Sequence, residues 1–182
     1  MFTNCNRAWC LLFTTVCLLF VSPLAQAAPR TVEHVDLQRY LGDWYEIASI
    51  PQFFTKGCVC TRAQYGLKDN TQISVLNTCN KDAIDGRLSK AQGTAEVVDP
   101  KTNSKLKVTF FWPFKGDYWI IGLDKDYRYA VISNSDATSL WILSRTPELP
   151  ADLYKEAVQI ARESGVDVGK VSITSQKGCQ YP

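Results

Sequence analysis

The sequence is poor in the groups that most enzymes and nucleic-acid-binding proteins draw on. Its only histidine is His34, so a Ser-His-Asp set has a single imidazole to work with. The formal charge is +2 at pH 7, too close to neutral to mark nucleic acid as the main partner. There is no internal repeat and no low-complexity segment. The N-terminal apolar run, Leu11 to Val21, falls short of the ~20 residues that a membrane-spanning helix needs.

That run belongs to a targeting segment. Arg7 supplies a positive start, Pro23 breaks the run, and Ala25-Gln26-Ala27 has the small-residue spacing of a cleavage site. Residues 1–27 therefore read as a secretory signal peptide and residues 28–182 as one domain. Ala28 follows the cut where a lipoprotein signal would place cysteine. The mature protein is expected in the periplasm or outside the cell, with outer-membrane association left open.

Cys5, Cys10 and Cys17 leave with the signal, and Cys58, Cys60, Cys79 and Cys179 remain. An even set in an oxidising compartment predicts disulfides. Cys58 and Cys60 are too close along one strand to bridge easily. This leaves Cys60–Cys179 with Cys58–Cys79, or the exchange. A bridge to Cys179 ties the C-terminus to the wall and closes a long loop, worth roughly 2–4 kcal/mol. The same cysteines with one histidine make a poor tetrahedral metal site, and no metal or other cofactor is expected.

Residues Val35 to Leu41 predict a short helical turn, and period-2 patterns follow. Strands are expected over Gly42–Ile50, Cys58–Leu67, Thr71–Thr78, Lys90–Val98, Lys105–Phe111, Asp117–Leu123, Tyr129–Asn134 and Ser139–Arg145. Turn-rich stretches separate them, with Trp112 to Gly116 read as a loop. The period then changes: Leu153, Ala157, Ile160 and Ala161 share one helical face over Pro150–Ser164, and Gly165 is a natural stop. A last short strand is expected over Val171–Thr174. Eight hairpin-linked strands and one late helix predict an all-β fold, an eight-stranded antiparallel up-and-down barrel with the helix packed outside. A two-sheet sandwich is the alternative.

Tyr40-Leu41-Gly42-Asp43-Trp44-Tyr45-Glu46-Ile47-Ala48 organises the rest. Its Gly42-x-Trp44 pair, the Asp124–Ile132 stretch, and Leu140-Trp141-Ile142-Leu143-Ser144-Arg145 resemble the three signatures of the lipocalins, in order. The chain is similar to the branch holding bacterial outer-membrane lipocalins, plant temperature-induced lipocalins and apolipoprotein D. The resemblance implies a barrel closed at one end by Gly42, Trp44 and Arg145, with the guanidinium lying across the indole for about 0.5–2 kcal/mol. It implies binding and storage or transport of a lipid or other small hydrophobic ligand, a fatty acid or lysophospholipid being favoured, without catalysis. In the bacterial branch this serves envelope maintenance under stress.

Side chains sharing the inward parity of Trp44 are the expected ligand contacts: Glu46, Ala48, Ala63, Tyr65, Val75, Asn77, Ala95, Phe110, Trp141 and Leu143. Val97, Leu106 and Val108 share that parity. The branch's known contacts point to Tyr65, Asn77 and Trp141 in particular. The sixth and seventh strands are apolar on both faces, so their parity stays open. Phe53, Phe54, Trp112 and Phe114 lie on loops, where they could touch a membrane surface, steer a ligand, or pack a weak homodimer of an otherwise monomeric protein. An isomerase on the same barrel would want a free pocket cysteine. A sequestering protein for siderophores or haem would want inward cations, and the pattern offers none.

Overall fold

The computed structural model describes residues 27–69 and 72–181; the expected signal peptide lies outside them except for Ala27. The element order is α1 (Leu37–Tyr40), β1 (Gly42–Ser49), β2 (Cys58–Leu67), β3 (Gln72–Lys81), β4 (Leu88–Val97), β5 (Lys105–Phe111), β6 (Phe114–Leu123), β7 (Tyr129–Ser133), β8 (Leu140–Ser144), α2 (Ala151–Glu163) and β9 (Ser172–Ile173). Strands β1 to β8 pair antiparallel with their sequence neighbours, and β8 and β2 both pair with β1, so the barrel closes. Closure leaves no long unpaired edge. The sandwich alternative is excluded by this continuous ladder. Two boundaries move by three residues: β3 runs on to Lys81, and β6 starts at Phe114, so the expected five-residue loop shrinks to Trp112-Pro113 between paired Phe111 and Phe114.

Two apolar clusters result, one inside the barrel and one between the wall and α2. Ile120 and Ile132 face the lumen with Leu143, whereas Ile121, Val131 and Ile142 lie under Leu153, Ala157 and Ala161 of α2. Strands β6 and β7 are apolar on both faces because both faces are covered. The helix ends at Glu163 with Ser164 as its cap, and Gly165 N–H then donates to the Arg162 carbonyl at 3.0 Å and Val166 N–H to that of Ala161 at 3.1 Å. That pair of bonds satisfies carbonyls otherwise left without partners.

The closed end is built from the three stretches singled out in the sequence. Gly42 adopts φ +91°, a region open to glycine and costly for other residues, and this turns the chain out of α1 into β1. Trp44 is fully buried, and its indole N–H donates to the Tyr40 carbonyl at 2.8 Å. The Arg145 guanidinium lies 3.9 Å from the centre of the Trp44 ring. It donates to the carbonyls of Leu41 (2.8 Å), Asp43 (3.0 Å) and Arg39. Asp124 grips the Arg128 side chain through both oxygens, at 2.7 and 2.9 Å, and the Arg128 carbonyl accepts the Arg145 N–H. The guanidinium holds the Asp124 carboxyl down at about 2. Tyr127 accepts the Asp36 N–H with its hydroxyl and carries Arg39 over its ring.

Both disulfides form as Cys58–Cys79 and Cys60–Cys179, which resolves the two pairings left open. The second anchors the C-terminal segment in a seam. Strands β1 and β2 part company beyond Tyr45 and Arg62, and the tail runs between them. Thr174 N–H donates to the Ile47 carbonyl and Cys60 N–H to that of Ser175. Between them the Gln176 amide nitrogen donates to the carbonyls of both Glu46 (2.7 Å) and Thr61 (2.8 Å).

Two outcomes follow from this packing. Arg145→Lys keeps the charge but loses the planar fork and its stacking, and is expected to lower stability by about 1–3 kcal/mol, read as a lower urea midpoint and altered tryptophan emission. Leu153→Ala opens a cavity beneath α2 and is expected to cost about 2–4 kcal/mol with an unchanged denaturant slope.

Candidate functional site

The strand registers decide what faces the lumen. Trp44 opposes Ala63, Ala63 opposes Asn77, and Asn77 opposes Ala91. These lie on one face with Tyr65, Val75, Ala95, Leu106, Ile132 and Leu143 of the inner cluster. Val97, Val108, Phe110, Tyr118 and Trp141 pack against that cluster and are half-buried. Of these, Phe110 and Trp141 lie away from Trp44, whereas Val97 and Tyr118, both paired with Leu106, lie near the closed end. Gly93 lets β4 and β5 approach closely: a Cβ there would come within 2.7 Å of the Thr109 carbonyl oxygen and 2.9 Å of the Phe110 ring.

Ala48 is the one expected lumen residue that the structure turns the other way. The register on β8 shifts between Glu46 and Ala48, so Ala48 opposes Ile142 and joins the cluster under α2. The extra residue of this bulge reverses every side chain beyond it. Ser49 takes the inward place opposite Trp141. A like shift in β6 between Ile120 and Gly122 settles the parity left open there: Ile120 and Leu123 face in, and Gly122 lies against α2.

The remaining expected residues sit at different heights. Tyr65 is at the floor opposite Gly42, Ala63 and Asn77 are one step up, and Trp141 is nearer the mouth. The Asn77 Oδ1 atom is shielded from solvent and has no hydrogen-bond partner. Sequence reasoning missed Tyr40 and Tyr118. Both their hydroxyls and that of Tyr65 converge, with Tyr118 bonded to Tyr40 at 2.8 Å and to Tyr65 at 3.0 Å. Burial holds all three hydroxyls in the protonated form, Tyr65 being pushed up to about 12.

Glu46 is the lumen's one buried carboxyl among the described residues. Its Oε1 accepts from Ser49 (2.9 Å) and Thr174 (2.5 Å). Burial raises its pKa above the ordinary 4.5, and the two hydroxyls pull it back only in part. All four cysteines of residues 27–181 are in disulfides, and His34 is exposed outside the barrel. No metal-binding cluster occurs among the described residues.

The opposite end is the mouth, where the β1–β2, β3–β4, β5–β6 and β7–β8 connections gather. Phe53 (92% exposed) and Phe54 stand on the first of these, Ile84 and Leu88 on the second. Phe111, Trp112 (86%) and Phe114 (77%) stand on the third. Such a ring of exposed apolar side chains is unusual on a soluble monomer.

The Glu46 carboxylate costs more in the fold than in the unfolded chain. That penalty is absent below the unfolded value of 4.5 and grows as pH rises through the higher folded value. Glu46→Gln is therefore expected to be the more stable protein at neutral pH. Urea titrations across pH should show the difference vanish below the ordinary carboxylate range.

Comparison with known proteins agrees with this architecture. The lipocalin-like domain family matches residues 35–176. The chain is 37% identical over 168 residues to outer membrane lipoprotein Blc of Escherichia coli (strain K12), covering 90% of this chain and 94% of that protein. It is 34% identical over 159 residues to apolipoprotein D of Macaca fascicularis, covering 84% and 82%. Among solved structures, insecticyanin from the tobacco hornworm Manduca sexta aligns with a TM-score of 0.65 at 23% identity, covering 86% of this chain and 89% of that one. No described helix is long and apolar enough to cross a membrane. With a closed eight-strand barrel, a Trp44–Arg145 floor and these matches, the chain belongs to the lipocalin family.

Proposed function

We propose that this protein binds and carries a single-chain lipid, of the fatty acid or lysophospholipid class or another small hydrophobic molecule, in the barrel and without catalysis. The observation that carries this reading is the barrel's inner face: apolar walls closed at one end by Trp44, with exposed rings gathered at the other. Burying an acyl chain there contributes about 0.8 kcal/mol per CH₂. The disulfides fit an oxidising compartment, periplasmic or secreted. The names of its relatives support a role at the cell envelope, where a lipid carrier would serve maintenance under stress. Native mass spectrometry of protein taken from its own compartment is expected to reveal one bound amphiphile per chain. A bare protein that also rejects fluorescent single-chain lipids would overturn the reading.

The mouth supports contact with the lipid surface that supplies the ligand. Each principal ring cluster is followed by a lysine, Phe53-Phe54-Thr55-Lys56 and Phe111-Trp112-Pro113-Phe114-Lys115, the pairing that suits a membrane interface. Phe53→Ser with Trp112→Ser is expected to lower the fraction sedimenting with mixed zwitterionic and anionic phospholipid vesicles several-fold. Unchanged sedimentation, or rings consumed in a homodimer by analytical ultracentrifugation, would remove this contact.

A further inference from the structure

The lumen has two unlike walls. One is apolar, running through Leu106, Val108, Ile120, Ile132 and Leu143. The other, on β1 to β3, carries Glu46, Ser49, Tyr65 and Asn77, and at its foot the three tyrosine hydroxyls meet. Two of these bonds use two of the three hydroxyl protons, and the third has no acceptor among the described residues. Tyr118 reaches this cluster from β6, where it packs against the inner apolar side chains. Two further polar atoms on that wall have capacity to accept: the partnerless Asn77 Oδ1 and the carboxyl of Glu46.

Among the described residues no cation is paired with Glu46. Every lysine and arginine on the strands is accounted for elsewhere. Arg62, Lys107 and Lys115 pair with Asp43, Asp117 and Glu96. Lys105 lies 4.3 Å from the centre of the Trp119 ring, and the Lys81 ammonium donates to the Lys56 carbonyl at the mouth. Lys90 opposes Thr78, which opposes Arg62, on the outward register. An anionic head lowered into this lumen would lose its water without meeting a positive charge, and would face a carboxyl. A hydroxyl or carbonyl head would instead meet one free O–H donor and two acceptors.

We propose that the barrel selects amphiphiles with an uncharged hydrogen-bonding head, of the long-chain alcohol type, seated head-down on the Tyr40–Tyr118–Tyr65 cluster, with Glu46 excluding carboxylates. This rests on the carrier reading above and refines it: within the single-chain lipids, a neutral head is preferred to a free carboxylate. The tyrosine cluster donates to the head oxygen, the polar wall accepts its proton, and the chain runs up the apolar wall toward Phe110 and the mouth.

The test uses the delipidated mature protein with dodecan-1-ol and dodecanoate, titrated by tryptophan fluorescence and calorimetry at pH 7.5. The alcohol is expected to bind at least ten-fold more tightly. Glu46→Gln is expected to strengthen dodecanoate several-fold, and so to narrow the preference for the alcohol. Tyr118→Phe is expected to weaken the alcohol about ten-fold and leave dodecanoate nearly unchanged. A urea midpoint for each variant separates lost binding from lost folding, and Glu46→Gln keeps the test decisive should Tyr118→Phe fold poorly. Dodecanoate binding as tightly as the alcohol, or indifference of dodecanoate to Glu46→Gln, overturns the proposal. If neither ligand binds, the carrier reading itself fails and takes the proposal with it.

Discussion

One contact holds this barrel in its shape: a guanidinium laid flat on an indole at the point where the first and last barrel strands meet. Arg145 directly follows β8 and Trp44 lies near the start of β1, so the stack fastens the closure of the sheet. Its fork also takes up carbonyls at Arg39, Leu41 and Asp43, groups stranded where α1 gives way to β1. Buried carbonyls without partners are costly, and a point charge could not reach all three. The aromatic face, the backbone and the strand junction thus share one side chain. The Asp124–Arg128 pair and Tyr127 extend the same arrangement to the β6–β7 turn and the lead-in helix.

A floor fixed in this way frees the other end. The mouth connections need not hold the barrel together, so they can carry rings that face water. The lumen between is graded, with three tyrosine hydroxyls at the base and the rings of Phe110 and Trp141 toward the opposite end. That gradient is what a binding protein needs to hold an amphiphile in one direction. It comes from alternation along each strand and from which strands flank the polar wall.

Much of the fold was legible because period-2 alternation is a direct image of a half-buried strand. The Lys105–Phe111 stretch and the Leu153, Ala157, Ala161 face of α2 both stand where the pattern places them. The three signature stretches were legible as residues, and their meeting at one end follows from barrel closure. What the pattern could not carry was parity across a bulge. Ile47-Ala48-Ser49 has no residue that marks the extra position, and Ala48 therefore turned outward against the expectation. Strands β6 and β7 hid their inner face because α2 makes the outer one equally apolar. That concealment is why Tyr118 was missed, while Tyr40 was hidden in the lead-in helix. Thr174 and Gln176 reach Glu46 from far along the chain, and no local pattern reports such a meeting.

The seam between β1 and β2 sets a rule for how the molecule can be assembled. Its missing rungs are supplied by Gln176, 130 positions after Glu46 and 115 after Thr61, and then bolted by Cys60–Cys179. The wall is therefore incomplete until the segment from Thr174 to Cys179 has joined it. A polypeptide stopped short of that point would leave two carbonyl groups bare in a half-shut cylinder. This short segment is the keystone of the vessel, joining two staves that do not meet without it.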